Sequence, residues 1–156
     1  MHPRFLYELD DCAILGGIET VGETWALKIL REAIYGLRRF DDFARALGCG
    51  RGVLSDRLKK LTAAGILARQ AYAEPGQRAR AEYHMTEMGW DVVPVLLALG
   101  QWRERWAPAS GGAAIRVTEP RSGRAVQMLM TADPKATSLS MDEVRIALGP
   151  GARRIG

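Results

Sequence analysis

The sequence is poor in the residues on which disulfide scaffolds, zinc sites and histidine enzymes depend. It holds two cysteines, Cys12 and Cys49, and two histidines, His2 and His84. Two cysteines are too few for a disulfide framework and lack the close spacing of zinc ligands. His84 is expected to point outward from a strand, without a partner at metal or catalytic spacing. No catalytic residue, metal or cofactor is therefore expected. No run of about 18 apolar residues occurs, which excludes a membrane-spanning helix. The opening stretch, MHPRFLYELDD, lacks the basic, apolar and small-residue succession of a signal peptide. The chain is thus expected to be cytoplasmic. Internal repeats and low-complexity runs are also missing.

What remains is an ordinary globular composition, with 47% hydrophobic and 26% charged residues over 156 positions. Charge is distributed unevenly. Residues 1–37 carry a net of −3 and residues 81–156 a net of +1, whereas residues 38–80 hold ten basic and four acidic groups, a net of +6. A focused basic stretch attracts phosphate polymers, although a solvated surface would give the same count.

Periodicity organises this stretch. A first helix is expected from a cap at Asp10 or Asp11 to about Gly22, with Ile14, Leu15, Ile18 and Val21 on its apolar side. A second is expected from a Thr24 cap to Gly36, and a short third through Phe40, Phe43, Ala44 and Leu47. The fourth runs from about Arg51 to Ala64. Its Leu54, Leu58 and Leu61 fall on one stripe, which leaves Gly52, Ser55, Asp56 and Lys59 opposite. Ile66–Tyr72 and Arg80–Met85 read as strands around a turn over Ala73–Ala79 that contains Pro75-Gly76. Helix, turn, helix, hairpin is the winged helix-turn-helix order.

A long last helix follows, from Thr86 with Glu87 to Trp106. Met88, Trp90, Val92, Val93, Val95, Leu96, Leu97, Leu99, Trp102 and Trp106 make it apolar almost all round. That predicts a second buried face, against another subunit or against the chain's own tail. Pro94 should bend it. Residues 1–106 thus read as one domain, and 107–156 as an extension containing strands at Ile115–Thr118 and Ala125–Thr131. Ser140–Glu143 as a capped short helix and Val144–Leu148 as a third strand remain alternatives. The fold class is mainly α with a small β-hairpin.

An ordered set of motifs carries a resemblance. It comprises Cys12, Gly22-Glu-Thr-Trp25, Ala-Leu-Lys-Ile-Leu-Arg-Glu32, Arg38-Arg39-Phe40 and Val53-Leu-Ser-Asp-Arg-Leu-Lys-Lys-Leu61. Ala64-Gly-Ile-Leu67, Glu82-Tyr83 and Met85-Thr86-Glu87 complete it. In this order and spacing, over about residues 10–106, the chain resembles the HxlR family of winged helix-turn-helix regulators in the MarR-like superfamily. The resemblance implies a homodimer built by the first and last helices, with a recognition helix in the major groove of double-stranded DNA and a wing on the backbone. Ala13, Gly48-Cys-Gly50 and Asp41-Asp-Phe43 depart from the family pattern, and bear on base preference rather than fold.

On this docking, Arg51, Gly52, Ser55, Asp56 and Lys59 face the groove, and Arg51 has the fork for guanine O6 and N7. Asp56 either accepts from cytosine N4 or orients a neighbouring Arg. Arg38, Arg39, Arg57, Lys60, Arg78 and Arg80 are expected at phosphates or on the wing. Cys12 and Cys49 are candidate redox switches, as the N-terminal cysteine is in some members of that family, or else a buried apolar residue and an incidental one. Trp90, Trp102 and Trp106 are candidates for a small-molecule effector pocket between subunits, or plain interface core. The competing functions are an effector-gated regulator using residues 107–156 and a protein-interaction scaffold that has lost DNA binding.

Overall fold

Leu54, Leu58 and Leu61 recur at helical spacing, and this stripe is where the chain closes on itself. The computed structural model describes residues 2, 6, 12–73, 80–133 and 135–154. In order come α1 (Ala13–Val21), α2 (Thr24–Ile34), α3 (Phe40–Leu47), α4 (Arg51–Ala63), β1 (Leu67–Tyr72), β2 (Arg80–Met85) and α5 (Glu87–Trp106). Beyond these lie β3 (Ile115–Thr118), a single 3₁₀ turn (Met141–Glu143) and β4 (Arg145–Leu148). The leucine stripe of α4 is buried with Ala26, Ile29 and Leu30 of α2, Phe43 of α3, and Ile66 and Leu67 at the entry to β1. Each such leucine stabilises the fold by about 1.5–3 kcal/mol.

Local chemistry sets the ends of these elements. Gly48 closes α3 at φ 60° and Gly65 closes the α4 turn at φ 77°, backbone angles that side chains with a Cβ resist. Thr86 caps α5 by accepting from the Gly89 N–H at 3.1 Å, while its hydroxyl donates to the Gly65 carbonyl at 2.6 Å. The cap therefore fastens α5 to the turn after α4. Gly89 completes that junction, because a Cβ there would stand 2.4 Å from the Ile66 carbonyl oxygen.

β1 and β2 pair antiparallel, with Leu67 opposite Met85 and Tyr72 opposite Arg80. β3 pairs antiparallel with β4, Ile115 opposite Leu148. Three expectations change. Thr24 is the first residue of α2 rather than its cap: Glu23 holds the extended cap position, and its carbonyl accepts from Leu27 at 3.1 Å. The strand expected over Ala125–Thr131 shrinks to one bridge, Ala125 to Thr118. Gln101 takes the Met128 N–H at 2.8 Å and its carbonyl at 3.0 Å, the groups a continuing ladder would need. The two alternatives near the end are both realised, as the 3₁₀ turn and β4, with the Ser140 N–H donating to Glu143 at 3.1 Å. The cap expected at Asp10 or Asp11 also falls elsewhere, since Cys12 holds the cap position of α1; both acids and the Pro75-Gly76 tip lie outside the described residues.

α5 continues through Pro94, burying Gly89, Val93 and Leu97 on one side. Its other side leaves Val95, Leu99, Trp102 and Trp106 exposed, and Ile14, Leu15 and Ile18 of α1 are exposed too. Among the described residues, no helix is long and apolar enough to cross a membrane.

Candidate nucleic-acid interface

α4 buries its leucines and thereby turns its remaining side chains away from the core. Gly52, Asp56 and Lys59 are exposed and Ser55 is half-buried beside them. Side chains here are short at the helix start and cationic further along, so another surface can approach the backbone closely. Arg51, the first residue of α4, reaches back to α3. Its guanidinium donates to Asp41 at 2.9 Å and lies 4.7 Å from the Phe40 ring centre. Both partners of that ion pair are largely exposed.

Arg57 and Lys60 lie on the flank of α4 that faces α2. Arg57 Nε is 2.7 Å from Glu23 yet its N–H is not aligned on the carboxylate, so this contact is ionic rather than a hydrogen bond. The same guanidinium donates to Asp56 at 3.0 Å, and Lys60 stands 3.8 Å from Glu23. Of the two roles open to Asp56, the geometry provides the orientation of a neighbouring arginine.

Arg38 and Arg39 lead into α3 and are stitched to the wing. The Tyr83 N–H donates to the Arg38 carbonyl at 2.8 Å, and Arg39 bridges to Glu82. Arg39 also contacts the Glu82 carboxylate at 3.3 Å and stacks 4.6 Å from the Tyr72 ring centre. Arg38 donates to His84 Nδ1 at 2.7 Å, which makes Nδ1 an acceptor and leaves Nε2–H to donate to Glu82 at 3.2 Å. His84 is thus half-buried in a network rather than pointing outward. Arg80, at the start of β2, is exposed. Arg78 lies outside the described residues.

The two cysteines are free and half-buried, Cys12 at the cap position of α1 and Cys49 packed against the core just before α4. Trp90, Trp102 and Trp106 do not share a cavity lining with one another in the two principal cavities; Trp90 borders a small one with Arg38 and His84. Among the described residues no group of three or more acidic, histidine or cysteine side chains is placed to hold a metal. Charge counting missed Glu23 and Asp41. Both acids sit within the motifs named above or beside them, but their pairing is tertiary and leaves no spacing signal.

A family model described as HxlR-like helix-turn-helix matches residues 20–111. An HTH-type transcriptional regulator of Mycobacterium tuberculosis is 34% identical over 134 residues, 86% of this chain and 84% of that one. The crystal structure of a candidate transcription factor superposes with a TM-score of 0.70 at 27% identity, over 89% of this chain and 96% of the other. A second, from Pseudomonas aeruginosa, is 36% identical with a TM-score of 0.54, covering 91% and 95%. The redox regulator HypR in its reduced form is 27% identical with a TM-score of 0.53, covering 59% of this chain and 90% of its own. The stretches matched by the mycobacterial regulator and by the first two structures are each longer than residues 1–106 and so run into residues 107–156.

Proposed function

Because the chain belongs to the HxlR-like helix-turn-helix family of transcriptional regulators, we propose that it binds specific sequences in double-stranded DNA as a homodimer. α4 enters the major groove and the β1–β2 wing lies on the backbone. The observation that carries this reading is the free face of α4: Gly52, Ser55, Asp56 and Lys59 are turned outward by the buried leucine stripe. Arg51 at its start reads a base edge after leaving Asp41. Arg38, Arg39 and Arg80 meet phosphates. Lys60 and Arg57 contribute less, since Glu23 and Asp56 already balance them.

The homodimer is supported by the apolar residues that α1 and α5 leave in water, with Ile14 75%, Trp102 61% and Trp106 69% exposed. Large apolar side chains left in water on two helices favour an association face. Such a protein acts by binding rather than catalysis, and does so in the cytoplasm on the nucleoid.

Selection of bound duplexes from a random pool tests the reading. It should return two-fold-related half-sites about 10 base pairs apart centre to centre, or a multiple of that. Recovery of unselected sequence would leave the scaffold alternative standing. A redox-responsive form of the same function is favoured by the likeness to the redox regulator HypR, with Cys49, free and half-buried just before α4, as the candidate thiol. Under mild peroxide, an intact-mass shift with a change in DNA affinity is expected; no change in either removes that refinement.

A further inference from the structure

A cleft of about 1490 Å³ opens between α2, α5 and the C-terminal extension. It is larger than the roughly 300–1,000 Å³ that small-molecule sites occupy. Its walls are apolar: Leu27 from α2, Leu96 and Leu97 from α5, and Val117, Val126 and Ile146 from the extension. Its charges are lopsided. Arg31 and Glu32 on the lining neutralise each other, with Arg31 Nε 2.7 Å from the carboxylate. That leaves Lys28, Arg103 and Arg153 against one acid, Glu104; Arg116 alternates with Val117 along β3 and faces away from the wall that Val117 and Ile146 form. These cations are exposed, so each acts through water, and together they bias the apolar cleft toward a negatively charged headgroup by their summed field.

We propose that this cleft binds an amphipathic organic anion, with an apolar body along α2, α5 and the sheet and one carboxylate or sulfonate among the arginines. The anion is the occupant that both halves of the lining require. Gln101 holds the extension to α5 at Met128, so the roof of the site is attached to a helix that also forms its wall. α2, the opposite wall, shares Ile29 and Leu30 with the leucine stripe of α4. Filling the cleft therefore fixes α2 against α5 and sets the tilt of α4. This regulatory consequence rests on the DNA-binding reading, whereas binding of the anion does not.

Calorimetric titration of the full chain with decanoate, decan-1-ol and decylamine, all below micelle formation, tests the site without DNA. Decanoate should saturate and bind at least about tenfold more tightly than the alcohol or the amine. The double variant Arg103→Ala, Arg153→Ala should lose about tenfold for decanoate with its melting temperature kept, and Arg105→Ala, off the lining, should lose nothing. Equal binding of the three probes, no saturable binding, or an unchanged double variant overturns the proposal. So does decanoate affinity that falls as light scattering shows dimer forming, since the second subunit would then own the cleft. DNA affinity of the ligand-free protein, measured separately, reports on the regulator reading alone.

Discussion

Under the proposed docking, Arg51 and Glu23 stand for two kinds of charged residue, one offered to DNA and one that holds cations back from it. Arg51 holds Asp41 at 2.9 Å in the open, where the pair is worth about 0.2–1 kcal/mol and yields easily to a guanine edge. Arg51→Ala should therefore weaken specific binding by about 1–3 kcal/mol and blur one base position per half-site, read by competition with single-base variants of the selected site. Glu23 works the other way. It occupies Arg57 and Lys60, so Glu23→Gln should strengthen binding to all sequences alike and steepen the salt dependence by up to about one unit of log–log slope. Gly89 governs stability rather than affinity. Gly89→Ala drives a methyl group into the Ile66 carbonyl and should cost about 1–3 kcal/mol, visible as a lowered melting temperature.

At the scale of elements, the turn that follows β3 carries a titration. Glu119 accepts from the Ser122 hydroxyl and from the Arg121 and Ser122 N–H groups, both at 2.9 Å. The Ser122 hydroxyl is the largest influence and holds its carboxyl below the usual carboxylate range; desolvation, next in size, opposes it, and the two N–H groups and the Arg124 charge lower it further. A depressed carboxylate supports structure that is present above its unfolded value and lost as pH falls through its folded one. Protection of the Arg121 and Ser122 amides should thus persist at neutral pH and fade only in acid; Glu119→Gln should weaken it at neutral pH. The elements themselves differ in how openly their residues announce them. α4 was legible because its leucines serve one core and repeat at the helical period. β1 and β2 were legible from their flanking turns. The stretch after Ala125 was not, because Val126, Met128, Leu129 and Met130 look like strand residues. Gln101, far away in sequence, decides instead where the Met128 backbone bonds. The same holds at the interface, where a net charge can be counted along the chain but Glu23 and Asp41 find their cations only through folding.

For the whole molecule, the exposed apolar residues of α1 and of the outer side of α5 have no cover among the described residues. Replacing Ile18, 58% exposed, or Trp102 with a charged residue should leave the monomer's melting behaviour nearly intact while shifting the mass in solution from dimer to monomer. DNA affinity should then fall steeply, because two half-sites bound through one rigid dimer gain far more than either alone. The most direct measurement of the central claim is a salt series of binding isotherms on the selected duplex and on a scrambled one of equal length. A roughly thousandfold or greater preference for the selected duplex at physiological salt, with log affinity falling linearly in log salt for both, is the predicted result. Equal affinity for the two duplexes, or none for either, would contradict it.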